Sequence, residues 1–175
     1  MDPFAEILAV DSKRAYRFFT ERITEVVVDT LRVTVTEYEL MHVASFMAHF
    51  ASTSAVSVES LMGTSTSLDG IFDLFVMDRS QHQDAEIMEH AGAQSLFLAG
   101  FFGDQLRRRH GCEWYLSLSG DFYNSALIQT PRRDRLKRTV RDRMSRSAPK
   151  WGRILLELHR SFREDQYDSR LIRIN

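Results

Sequence analysis

The side chains best placed to do chemistry in this 175-residue chain are histidines set at helical spacing from carboxylates. Glu39-Leu-Met-His42 is an E-x-x-H, the i, i+3 pair with which di-iron helical bundles project two ligands inward, and His49 follows two turns on along nearly the same face. Glu86-Ile-Met-Glu89-His90 offers further carboxylates and an imidazole, in a different order. A di-iron site wants E-x-x-H on two helices plus two more glutamates, so a second motif is missing. The competing reading has Glu39 capping a helix and the histidines partly buried or at the surface.

Other catalytic chemistry has less to stand on. Cys112 sits beside the cationic Arg107, Arg108 and Arg109 and beside His110, a candidate setting for a nucleophilic thiol, yet no positioned base follows from the sequence. As the only cysteine it excludes an intrachain disulfide and a four-cysteine metal site. No G-x-x-x-x-G-K-[ST], G-x-G-x-x-G, H-E-x-x-H or G-x-S-x-G occurs. HAGAQSLFLAGFFGDQ resembles the glycine-bearing distal helix of haem oxygenase-type helical proteins, which implies His42, His49 or His90 as an axial ligand. The same small residues and aromatics suit any tightly packed helix, and no cofactor is predicted.

Charge supplies the third kind of candidate. Residues 1–104 hold 16 Asp/Glu against 6 Lys/Arg, net −10, and residues 105–175 hold 17 Lys/Arg against 8 Asp/Glu, net +9, so the overall −1 conceals a dipole along the chain. The two halves either neutralise each other in the fold or the basic half meets an anionic partner. Arg132, Arg133, Arg135, Lys137, Arg138, Arg141, Arg143 and Arg146 place eight cations in fifteen residues, relieved only by Asp134 and Asp142. Such a run is either a solvated or internally paired helix face or a clamp for nucleic-acid phosphates. It lacks the broad apolar face that insertion into a membrane surface needs.

These residues must be held by helices. Residues 86–109 leave no consistently polar face between Ala91 and Phe102, the pattern of a helix surrounded by others, although Gln94, Ser95 and Asp104 interrupt it too soon for a bilayer span. A bend or early end is expected near Gly100 and Gly103. Upstream, Asp2-Pro3 opens a short helix over Phe4, Ile7 and Leu8, and Asp11 caps a helix over residues 12–29 with Ala15, Phe18, Phe19, Ile23 and Val26 inward. From Val26-Val27-Val28 to Leu31, Val33 and Val35 the pattern switches to β-branched alternation, which suggests a short extended piece around residues 31–35, with a linker preferred there. Thr36 to Glu39 is a capping box for a helix through Phe50. Residues 52–67 read as a connection broken by a short helix over 58–62, a further helix covers Ile71 to Met77, and residues 79–84 link into the central rod.

Downstream, residues 114–128 form an aromatic helix, Thr130-Pro131 starts the next with Leu136, Val140 and Met144 as a thin stripe, and a last helix begins near Ser147-Ala148-Pro149, carrying Trp151, Ile154, Leu155, Leu158 and Phe162. Residues from Arg163 onward read as a tail. The N-terminus has no basic, apolar leader, which makes a cytoplasmic setting the default. Twelve Phe against only eight Gly and three Pro describe a folded, helix-rich chain long enough to bury its own core.

The segment order LMHVASFMAHF, GAQSLFLAGFF with LRRR, then WYLSLSGDFYNSAL resembles a bacterial family of uncharacterised helical proteins, in which an SLF-x-x-GFF-like helix precedes an aromatic YY-x-x-x-G-x-x-AY-like one. Here Trp114-Tyr115 stands for the paired tyrosines. The resemblance covers roughly residues 39–127 and implies a helical fold without assigning any catalytic residue. The sequence therefore predicts one all-α domain over residues 1–175, of about six to eight helices around a central apolar helix, with basic helices and a tail over 130–175. It predicts a non-enzymatic protein-binding or regulatory module, partnered by another protein or by itself. Nucleic-acid binding through residues 131–146 is the alternative, and a metal- or haem-binding helical enzyme is the third.

Overall fold

In the computed structural model the described residues are 12–53, 84–101, 103–106 and 111–172, and they are helical with no strand among them. Helix α1 covers Ser12–Glu25, α2 Glu37–Thr53, α3 Ala85–Phe101, the single turn α4 Gly103–Leu106, α5 Cys112–Gln129 and α6 Arg135–Ile172. The five long helices pack together, one fewer than the lower expected number. The expected helices at residues 2–8, 58–62 and 71–77, the cap at Asp11, most of the link at 79–84, Phe102 and the basic run at 107–110 lie outside the described residues.

The capping box forms as the residue types require: the Thr36 amide donates to Glu39 Oε2 (2.9 Å) and the Glu39 amide donates to Thr36 Oγ1 (3.3 Å), so α2 starts there. Before it, the helical path runs to Thr30, one residue past the expected end at 29. Val26–Thr30 continues α1 as a π-turn, with the Leu31 amide donating to the Val26 carbonyl at 2.9 Å. Burial of Val26 and Val27 against the core outweighs their preference for extended chain. Residues 31–36 then form the preferred linker, turning at Arg32 with φ 52°.

Helix α3 is the central rod. From Ala91 to Phe101 every residue but Gln94 is buried, and α3 packs on both α5 and α6. Absent side chains allow this closeness. A Cβ on Gly100 would stand 2.7 Å from Leu155 Cβ and 3.1 Å from the Gly152 carbonyl oxygen, so α3 and α6 meet at backbone contact. Across α5, Ser119 Oγ donates to the Gly92 carbonyl at 2.8 Å, and Tyr123 lies over Gly92. The rod ends at Phe101, beside the glycines expected to stop it.

Two expectations for the C-terminal half are corrected. Thr130-Pro131 does not start a helix: Thr130 is extended and closes α5, donating through Oγ1 to the Ala126 carbonyl at 2.6 Å, and Asp134 caps α6 instead, accepting from the Lys137 amide at 3.4 Å. Nor is there a separate helix from residue 147 and a tail from 163. A single 38-residue helix runs through Pro149 to Ile172. Two features let it pass the proline. The stripe Met144, Ala148, Trp151, Leu155, Leu158 and Phe162 keeps alternating steps of three and four residues across it, all buried. The Ser145 carbonyl, which Pro149 cannot bond, faces Gly120, where a Cβ would stand only 2.9 Å away.

Candidate functional site

The eight cations of residues 132–146 divide into two groups. Arg141 falls three residues before Met144, at a core position of the α6 stripe, and is 1% exposed. Its Nε donates to Glu89 Oε2 (2.5 Å), Nη2 to Glu86 Oε1 (2.8 Å) and Nη1 to Thr130 Oγ1 (2.5 Å). Lys137 Nζ shares Glu86 Oε1 at 2.7 Å, and bonds from Lys137 and Arg141 hold the Glu86 carboxyl below its usual pKa. Arg138 caps α5 by donating to the carbonyls of Thr130 (2.8 Å) and Leu127 (3.3 Å). Three of the eight are thus tied into the packing, and Arg146 makes an exposed pair with Asp142 at 2.8 Å on its own helix.

Arg132, Arg133, Arg135 and Arg143 form the second group, exposed and without an ion pair among the described residues. On the same segment Ile128 and Leu136 are 70% and 58% exposed. The α5–α6 turn and the outer face of α6 therefore carry free guanidinium groups among uncovered aliphatics.

The E-x-x-H residues go to different partners. Glu39 is buried and reaches α6, accepting from Lys150 Nζ (3.2 Å) and Trp151 Nε1 (3.3 Å) as well as from Thr36. Burial pushes its pKa up, but the Thr36 amide and hydroxyl, Ser147 and Lys150 outweigh that and hold the carboxyl at about 2. His42 instead bonds Tyr123 Oη through Nε2 at 2.8 Å, with Nδ1 3.9 Å from Glu89. Burial keeps this imidazole neutral to lower pH than usual and raises the Tyr123 phenol well above its ordinary pKa. His49 and His90 lie at the surface with ring centroids 6.0 Å apart, and partial desolvation, followed by the His49 charge, lowers the His90 pKa. Among the described residues no three His, Cys, Asp or Glu side chains converge on one point. Cys112 donates to the Gly103 carbonyl at 3.1 Å, which ties the start of α5 to the end of the rod.

Two clefts flank the Asp142–Arg146 pair. One, of about 770 Å³, lies between residues 34–36 and α6 and is lined by Thr34, Thr36, Glu39, Arg138, Thr139, Arg143, Arg146, Ser147 and Lys150 among others. The other, of about 810 Å³, lies between α5 and α6 and includes Glu113, Asp121, Asn124, Ser145 and Pro149. Both touch Leu127, Asp142 and Arg146.

Residue type alone offered Glu89 only beside the E-x-x-H motif and Thr130 only as a helix start, and did not single out Tyr123 or Lys150. The available signal was the position of Arg141: a charged residue continuing a core stripe requires a buried partner, and Glu86 and Glu89 are the carboxylates three residues apart on the rod. Comparison with family models, with curated proteins and with solved structures finds no match for this chain. No described helix is long and apolar enough to cross a membrane.

Proposed function

We propose that this chain is a non-enzymatic protein-binding module that engages an acidic partner through the α5–α6 turn and the outer face of α6. The observation that carries this reading is the mixture on that surface. Ile128 at the end of α5 and Leu136 at the start of α6 stand uncovered on the segment that carries Arg132, Arg133 and Arg135, with Arg143 about two turns further along α6. Aliphatic anchors within a charged rim suit a protein partner, where burial of each aliphatic adds to the charge attraction. A phosphate backbone would use the arginines and leave the aliphatics in water.

The internal employment of Lys137, Arg138 and Arg141 supports the same reading, because it removes three cations from any phosphate-tracking stripe. Nucleic-acid binding is the second reading, favoured by the four unpaired arginines. The two separate in one fluorescence anisotropy series with a labelled peptide of Asp, Glu and Leu, and with labelled single- and double-stranded nucleic acid. Peptide binding that weakens on Leu136→Ser and on Arg132, Arg133, Arg135 and Arg143→Gln supports a protein partner. Nucleic-acid binding that is lost on the arginine changes and indifferent to Leu136→Ser would replace it with the second reading.

A further inference from the structure

The clefts on the two sides of the α6 ridge carry opposite charge. Arg138, Arg143, Arg146 and Lys150 face Glu39 and Asp142 in the first, four cations to two carboxylates. Glu113, Asp121 and Asp142 face only Arg146 in the second. Asp142–Arg146 and Glu39–Lys150 pair within the clefts, whereas Arg143 on one side and Glu113 and Asp121 on the other have no ion pair among the described residues. The clefts meet along Leu127, Asp142 and Arg146, which line both.

A positive and a negative concavity side by side are complementary to their own image turned by half a rotation about the ridge between them. In such a two-fold contact each residue pairing occurs twice, i with j and j with i. We propose that the occupant of these clefts is a second copy of this chain, packed α6 ridge to α6 ridge about an axis near Asp142 and Arg146, each copy seating its basic cleft over the other's acidic one. This rests on the protein-binding reading and names the partner at the clefts. The Asp142–Arg146 pair on the ridge is an exposed i, i+4 pair, with side chains 39% and 77% exposed, that is neutral as a unit, so the ridge itself sets no net charge against its own image. Leu127, on α5, lines both clefts and supplies apolar contact beside the ridge.

The test is sedimentation equilibrium of the full chain with a charge-swap pair. Wild-type protein is expected to dimerise, with a dissociation constant that rises about tenfold or more between about 50 mM and about 500 mM salt. R143E/R146E places acid against acid in both halves of its own dimer, and E113K/D121K places base against base, so each variant alone is expected to be monomeric. An equimolar mixture of the two restores opposite charge in both halves and is expected to dimerise again. All four positions are at the surface or its margin, and retained helical circular dichroism confirms folding. Wild-type protein that stays monomeric at low salt overturns the proposal, as does a dimer that neither variant disturbs or variants that the mixture does not rescue. A monomer that still binds the acidic peptide overturns the second copy alone and leaves protein binding standing.

Discussion

Arg141→Met removes a guanidinium while keeping most of the side-chain stem, and its effect on stability follows from the three groups that lose a partner. Glu89, with a side chain 24% exposed, loses a charge-assisted bond in a largely dehydrated site, worth about 1.5–3 kcal/mol. Glu86 is 63% exposed and keeps Lys137, so its loss adds under about 0.5 kcal/mol. Thr130 Oγ1 still donates to the Ala126 carbonyl and forfeits only an acceptor contact. The expected destabilisation is about 2–3 kcal/mol, below the 3–5 kcal/mol typical of fully buried pairs because both glutamates reach water. Urea unfolding followed by circular dichroism measures it. Arg141→Met with Glu89→Leu should recover about 1 kcal/mol or more, since an apolar pair is often no worse than a buried ion pair. A single variant within about 0.5 kcal/mol of wild type, or a double variant no better than the single, would refute the reasoning.

Three further outcomes are expected. The Glu39 carboxyl is ionised in the fold down to about pH 2, whereas unfolded chain takes up the proton near 4.5, so its stabilisation is present above about pH 4.5 and lost as pH falls towards 2; the shift corresponds to about 3 kcal/mol, and Glu39→Gln should flatten the acid limb of stability measured by urea unfolding across that window. Gly100→Ala should destabilise by about 1–3 kcal/mol despite a better helix propensity, because the new methyl would meet Leu155 Cβ and the Gly152 backbone; a raised melting temperature would contradict backbone contact between α3 and α6. Ser95 is buried and its hydroxyl has no hydrogen-bond partner among the described residues, so Ser95→Ala should stabilise by about 0.5–1 kcal/mol in the same unfolding assay.

The helical architecture and its centre were legible because burial on all sides leaves a mark that needs no partner to read: residues 91–101 lack a polar face, and they form the rod. The Thr36–Glu39 capping box was legible for a similar reason, being a local exchange of bonds within four residues. The continuity of α6 was not, because Pro149 is a strong local stop signal, and what offsets it is Gly120 on another helix admitting the freed Ser145 carbonyl. The start of α6 was misplaced because Thr130-Pro131 satisfies the cap-then-proline rule locally, whereas in the fold Thr130 closes α5 and Asp134 makes the cap. The basic run concealed its own division: eight cations look alike in sequence, and only the facing rod makes Arg141 a core residue and leaves Arg143 in water. In the same way the E-x-x-H spacing brings Glu39 and His42 onto one helix, but α6 takes the carboxylate and α5 the imidazole. The charge dipole along the chain is partly closed in the fold, through Glu39–Lys150, Glu86–Lys137, Glu89–Arg141 and Asp104–Arg160.

The most direct test of the proposed docking surface is to titrate isotopically labelled protein with the acidic peptide and follow backbone amide resonances residue by residue. The account predicts shifts concentrated on Ile128, the α5–α6 turn and the outer face of α6 as far as Lys150, with the buried residues of α3 unmoved. Shifts confined to α1 and α2, or no shift at peptide concentrations that saturate binding to other basic helices, would contradict it.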